Sequence, residues 1–278
     1  MHQDRPGAMD AAPGKPREPV YDQAPYRQGM RVHEMIVAER QHMADLLASL
    51  SQEQLTRQSL CEAWTVREVG AHLVTYLRLG QLKIYLCMLA YAGNFAPGNE
   101  RLARMYARRS TADLVGCLRR YATAKTTVPR SGYDPVLADV VLHDLDVRIP
   151  LGIDRVIPED RLAVTFHHLA SVPSPGFAVG GRLSELRFEA VDTGWTSGHG
   201  APVRGDAEAI VLAMAGRTIA LPRLDGDGVA VLSERVNQAS QIPVAQRLTK
   251  MATTVLRPSP RRARYLGPPP LTSSSRDG

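Results

Sequence analysis

The sequence predicts an α+β protein, with an N-terminal up-down helical bundle followed by a small C-terminal α+β domain. Three observations predict it. Apolar residues recur at helical spacing from Met35 to the neighbourhood of Ala170. Two strong helix-start signals, Thr65-Val66-Arg67-Glu68 and Asp134-Pro135, divide that stretch. After residue 172 the glycines Gly176, Gly180 and Gly181 break the chain, and an alternating pattern replaces the helical one.

Residues 1–25 are rich in proline, glycine and charge and are expected to be disordered. The first helix is expected from about Gly29 to Leu50, with Met35, Ile36, Met43, Leu46, Leu47 and Leu50 on one face. Thr65 to Glu68 reads as a capping box, opening a helix through Val69, His72, Leu73, Tyr76 and Leu77 towards Tyr91. A third helical region spans about Glu100 to Lys125, with Ser110 placed to cap a restart. Asp134 as N-cap and Pro135 at the first helical position open the next helix, and Ile149-Pro150-Leu151-Gly152 ends it. A fifth helix is expected over about Pro158–Ala170.

The bundle therefore occupies residues 26–172 and the α+β domain residues 173–256, followed by a basic, Pro/Ser-rich tail at 257–278. Within the second domain, Leu183 to Val191 alternates like a strand that Gly194-Trp195-Thr196 closes. Ala207 to Ala215 reads as a short apolar helix, and Val229-Ala230-Val231-Leu232 as a second strand after the turn Asp225-Gly226-Asp227-Gly228.

Charge and cysteine usage narrow the function classes. Of the net +6, the tail from Arg257 supplies +4, through five arginines against Asp277. The body is nearly balanced, which argues against a nucleic-acid-binding surface there. The cysteines Cys61, Cys87 and Cys117 are too scattered for a disulfide framework or a cysteine zinc site, and fit a reducing cytoplasm. No signal peptide is visible, and Ile84–Ala92 is too short to span a bilayer, so no membrane partner is expected.

Asp139 and His143 stand four apart on the helix opened at Asp134. Four residues advance about 400°, which stacks the two side chains one turn apart on one face. Such a pair can grip one ion, and a third ligand must come from another helix. His72, on the stripe of Val69 and Tyr76, is the candidate. Two imidazoles and a carboxylate leave a coordination position open, as catalytic zinc sites do; nickel, iron and manganese suit the set as well. Spacing alone is a weak signal, since a D-x-x-x-H pair arises often by chance. Asp144 and Asp146 point elsewhere on the helix, as acceptors for a ligand imidazole or as solvated groups.

The stretch Leu60-Cys61-Glu62-Ala63-Trp64-Thr65-Val66-Arg67-Glu68-Val69-Gly70-Ala71-His72-Leu73 resembles the signature of the mycothiol-dependent maleylpyruvate isomerase family, whose bundle is similar to the DinB/YfiT-like fold. Val140 to Gly152 resembles its second motif. Trp195, Gly198-His199-Gly200, Val203-Arg204-Gly205, Ala215-Gly216-Arg217 and Leu224 to Gly228 resemble its C-terminal domain. The resemblance covers about residues 30–235, in the family's order. It implies that His72, Asp139 and His143 are the metal ligands, although the family usually has glutamate where this chain has Asp139, one methylene shorter.

The resemblance also implies mycothiol as thiol cofactor or cosubstrate and a small electrophile as substrate, with a metal-bound thiolate as nucleophile. Addition to a double bond, rotation and elimination make an isomerase; addition without elimination makes an S-transferase. Arg217 is the candidate to hold a carboxylate of substrate or cofactor, and His199, between two glycines, a candidate to line the cleft between domains. Trp64 and Trp195 read as packing residues. The alternative reading is a non-catalytic metal- or ligand-binding protein of the same fold. A monomer or homodimer is expected.

Overall fold

The computed structural model describes residues 25–90, 95–128, 132–171 and 183–241. The N-terminal tail up to residue 24, the glycine break at 176–181 and the C-terminal tail lie outside the described residues. Helices come first: α1 (Pro25–Ser49), α2 (Gln52–Thr56), α3 (Val66–Ala90), α4 (Phe95–Tyr106), α5 (Thr111–Arg120), α6 (Asp134–Leu151) and α7 (Glu159–Ser171). The sheet strands β1 (Leu186–Ala190), β2 (Trp195–Gly198) and β3 (Ala201–Gly205) follow, then α8 (Ala207–Met214), a 3-10 helix (Thr218–Arg223) and α9 (Gly228–Gln241). The molecule is a helical bundle with a small α+β unit. No helix among the described residues is long and apolar enough to cross a membrane.

Local signals explain most boundaries. Thr65 and Glu68 form the expected capping box: Glu68 Oε2 accepts the Thr65 N–H at 2.8 Å and Thr65 Oγ1 accepts the Glu68 N–H at 3.3 Å. Ser110 caps α5 through the Asp113 N–H, so the third helical region is two helices, α4 and α5. A second capping box, Ser51 with Gln54, starts the short α2 that the sequence reading passed over.

Helix α6 ends within Ile149–Gly152 as expected: it runs through Pro150 to Leu151 and closes at Gly152 in the left-handed region (φ 66°). Two expectations are corrected. Tyr133, not Asp134, takes the N-cap position of α6, and Asp134 lies in its first turn. Val229–Leu232 is the start of α9 rather than a strand: Leu232 and Val236 are buried four apart, and a four-residue apolar run does not distinguish the two periods.

Two clusters of buried side chains hold the fold. One joins Met43, Leu47, Val69, Val74, Leu114 and Leu118 across α1, α3 and α5. The other joins Ile36, Leu137, Leu142 and Phe166 of the bundle to Phe188, Val203 and Ile210 of the α+β unit, so one core crosses the expected domain boundary. Each such fully buried aliphatic or aromatic side chain contributes about 1.5–3 kcal/mol relative to exposure. Helix α6 contributes to both clusters and is buried almost all round, so its polar residues lie inside the protein.

In the sheet, β1 is central, antiparallel to β2 and parallel to β3. The chain leaves β2 beside Arg187 and enters β3 beside Leu186, so it must cross the end of β1 in two residues. Gly198 and Gly200 allow this: both have positive φ, and a Cβ there would fall 2.3 Å from the Leu186 carbonyl oxygen and 2.1 Å from that of Glu185.

Candidate metal centre

His72, in the second turn of α3, and Asp139 and His143, one turn apart on α6, converge. One donor atom from each lies within 4.8 Å of the others, the one such cluster among the described residues. Asp139 Oδ1 stands 3.4 Å from His143 Nε2 and 3.6 Å from His72 Nε2. Zinc bonds of about 2.0–2.1 Å at tetrahedral angles place donors roughly 3.3 Å apart, so the carboxylate already spans both imidazoles at such spacing. The two imidazole side chains are 5% exposed and the Asp139 side chain 28%, so the cluster opens to solvent on the carboxylate side.

The sequence reading placed Asp144 and Asp146 either against a ligand or in solvent, and neither is solvated: their side chains are 1% and 0% exposed. Asp146 Oδ2 lies 2.9 Å from His143 Nδ1. Asp146 is also ion-paired to Arg217 and is therefore an acceptor, so Nδ1 carries the proton and Nε2 is turned to Asp139. Asp144 points away from the cluster, to His42, Arg148 and Arg155 at 3.1, 2.6 and 3.2 Å.

Arg217 is placed by the end of α8. Gly216 takes positive φ, the Gly216 N–H donates to the Ala213 carbonyl and the Arg217 N–H to that of Leu212, the double closure of a glycine-terminated helix. From there its guanidinium grips Asp146 with both faces of the fork, Nε to Oδ1 at 2.9 Å and Nη2 to Oδ2 at 2.6 Å. Its partner is thus a carboxylate of this chain, 71 residues away. His199 is exposed at the crossing between β2 and β3, and no hydrogen bond or ion pair joins it to the cluster among the described residues. Its flanking glycines serve that crossing.

Trp64 belongs to the site, beyond the packing role read from the sequence. Its ring stacks on His72 at 4.5 Å and lies 5.7 Å from that of His143, and Tyr76 meets His72 edge-on at 5.1 Å. Trp64 Nε1 is buried without a hydrogen-bond partner. Trp195 instead packs near Phe166, with ring centres 5.9 Å apart.

The electrostatics distribute one proton over the cluster. Burial holds the His72 imidazole below its ordinary pKa, with Asp139 only partly offsetting it. Burial also opposes charge on His143, but the Asp139 and Asp146 carboxylates outweigh it and push His143 up to about 9. Burial works against ionised Asp139 too, yet His143 and His72 hold it well below the usual carboxylate range. Asp146, likewise opposed by burial, is brought down to about 2 by Arg217 and His143. Near neutral pH the cluster is therefore a carboxylate, a neutral imidazole and an imidazolium.

The match to a family model agrees with the resemblance read from the motifs. Residues 36–143 match the model of the mycothiol maleylpyruvate isomerase N-terminal domain. Two solved structures are similar. A crystal structure of a mutant of the mycothiol-dependent maleylpyruvate isomerase is 14% identical at a TM-score of 0.49, covering 73% of this chain and 93% of that one. Another of the mycothiol-dependent maleylpyruvate isomerase is 15% identical at 0.46, covering 70% and 90%. No curated protein sequence matches. The matched segment runs from Ile36 to His143 and holds all three clustered side chains, so over this stretch the chain is similar to the N-terminal domain of mycothiol maleylpyruvate isomerase.

Proposed function

We propose that the chain is a metal-dependent enzyme that uses mycothiol on a small electrophilic substrate, as an isomerase or an S-transferase. The observation that carries the reading is the convergence of His72, Asp139 and His143 from two helices, with Asp139 Oδ1 reaching both imidazoles. The donor set fits a divalent ion, zinc preferred. Such an ion supplies the Lewis acidity that keeps a thiol deprotonated near neutral pH.

The chain's own residues have separate tasks in this reading. His72, Asp139 and His143 hold the ion, and Asp146 keeps the His143 proton on Nδ1. Trp64 and Tyr76 keep water from the His72 side, which leaves the Asp139 side for thiol and substrate. Bound mycothiol would supply the thiolate for addition to an activated double bond. Rotation in the resulting carbanion and expulsion of the same thiolate would complete an isomerisation, whereas protonation of that carbon with the sulfur retained would give an S-conjugate. The bundle at 26–172 supplies the ligands, the unit at 173–256 closes the site through Arg217, and the working compartment is the cytoplasm.

The test is the metal content of the purified chain and of His143→Ala, with thiol consumption measured against a reactive electrophile. We expect about one ion per chain, lost in the variant, and metal-dependent thiol consumption. Stoichiometric metal without thiol turnover would instead make the chain a metal-binding protein of the same fold. No metal uptake, even with added zinc, would refute the reading.

A further inference from the structure

We infer that Arg217 is a positioning residue: by gripping Asp146 it fixes the His143 ring, so that the α+β unit sets the geometry of a site whose ligands all lie in the bundle. The inference rests on the proposed metal site. Three contacts carry it. Arg217 Nη1 donates to the Ala215 carbonyl at 2.8 Å, which ties the guanidinium to the end of α8. Nε and Nη2 take both oxygens of Asp146, and Asp146 Oδ2 accepts from His143 Nδ1. The line therefore runs α8, Arg217, Asp146, His143, with no water or solvent-exposed group between.

The same contacts argue against a free carboxylate clamp. The edge of the guanidinium that pairs best with a carboxylate, Nε with Nη2, is already occupied by Asp146. To hold a substrate there, Arg217 would have to abandon a fully buried carboxylate, which is costly without a replacement cation. Among the described residues, the cations paired with the Asp146 side chain are Arg217 and the His143 ring. Without Arg217 the Asp146 carboxylate would lose the fork that fixes its orientation, and His143 would lose a fixed acceptor.

The experiment uses the full chain, wild type, Arg217→Met and Arg217→Lys, titrated with Co²⁺. It reads the affinity and visible spectrum and, in the metal-free protein, the nuclear magnetic resonance of the His143 Nδ1 proton. We expect Arg217→Met to lose roughly 10–100-fold in affinity, the size typical for a partner of a ligand histidine. Its Co²⁺ spectrum should shift and its Nδ1 proton signal move or exchange away. Arg217→Lys, with charge but no fork, should recover part of the affinity. A folded Arg217→Met with wild-type affinity, spectrum and Nδ1 signal overturns the inference. If Arg217→Met fails to fold, Arg217→Lys decides by the same three readouts. If even the wild type takes up no Co²⁺, the metal reading fails, while the Nδ1 signal still decides whether Arg217 holds His143.

Discussion

The Leu60 N–H donates to the carbonyl oxygen of Asp146 at 3.0 Å, a carbonyl left open because Pro150, four residues on, has no N–H to give it. A proline inside α6 therefore creates the acceptor that pins the segment carrying Trp64 beside the cluster of His72, Asp139 and His143. Ser59 completes the anchor: its Oγ donates to the Trp64 carbonyl at 2.7 Å and accepts the Cys61 N–H at 3.1 Å. In Pro150→Ala a new amide competes for the Asp146 carbonyl. We expect the Leu60 amide to exchange with solvent roughly tenfold faster, about 1.4 kcal/mol of lost protection. Unchanged protection at Leu60 would show that the segment is held by its other bonds alone.

Proton count gives the next prediction. His143 is pushed up to about 9 by the carboxylates that flank it, above the value of about 6.5 it has in an unfolded chain. An ion must displace that proton, so near pH 7.5 metal uptake should release about one proton per chain, and affinity should rise with pH up to about 9. Calorimetry in two buffers of different ionisation enthalpy measures the count. The metal-free protein has the matching stability profile. A raised pKa stabilises fully below about 6.5 and loses that contribution as pH rises through about 9, so unfolding free energy should fall by roughly 3 kcal/mol across this window. A flat profile between pH 6.5 and 9 would place the proton elsewhere.

The short carboxylate at position 139 raises a question of reach. Asp139 Oδ1 stands 3.4 and 3.6 Å from the two Nε2 atoms, so the helices are close enough for aspartate. An added methylene then has to fold back or push α6 from α3. We expect Asp139→Glu to bind Zn²⁺ more weakly than the wild type, by roughly tenfold, a strain of about 1–3 kcal/mol for overpacking. Asp139→Asn should lose more, because the set of His72, Asp139 and His143 would then lose its one anionic donor. Tighter Zn²⁺ binding by Asp139→Glu would mean that the aspartate is a poor reach after all.

His199 and its glycines separate by the same logic of place. The His199 side chain is exposed at the β2–β3 crossing, so His199→Ala should change stability by no more than about 0.5 kcal/mol and leave Zn²⁺ affinity intact. Gly200→Ala puts a Cβ 2.1 Å from the Glu185 carbonyl oxygen and requires φ of 116°, so it should cost about 1–3 kcal/mol or more in a thermal or denaturant melt.

What could be read from the chain tracks the range of the contact involved. Thr65 with Glu68, and Asp139 with His143, are three and four residues apart, where helix geometry alone dictates who meets whom. The family motif carried His72 across the gap to α6. Nothing local announces that Arg217 finds Asp146, because that contact depends on how α8 docks on the bundle. Nor does any pattern show that α6 is buried almost all round, so the sequence left Asp144 and Asp146 open between acceptors for a ligand imidazole and solvated groups, and only Asp146 meets His143. Strand β3 escaped notice for a different reason: Pro202 and Arg204 mask it, since only Val203 is fully buried.

Asp144 and Asp146 offer a direct contrast, two residues apart on one helix with opposite duties. Asp144 is neutralised by Arg148 and Arg155, and Arg155 and Arg161 bind Glu39 on α1, so this network ties α1, α6 and α7 together. Asp146 faces His143 and Arg217 instead. Asp144→Ala leaves the buried Arg148 without its carboxylate and should cost about 3–5 kcal/mol of stability, yet the folded fraction should keep the wild-type Co²⁺ spectrum. Asp146→Asn keeps the shape but removes the negative charge that faces His143 Nδ1, so it should change the spectrum and lower Co²⁺ affinity at a smaller loss of stability. Denaturant melts and Co²⁺ titrations of the two variants, side by side, measure this. If both variants altered the Co²⁺ spectrum alike, the network at Asp144 would be part of the metal site's support rather than a separate clamp on α1.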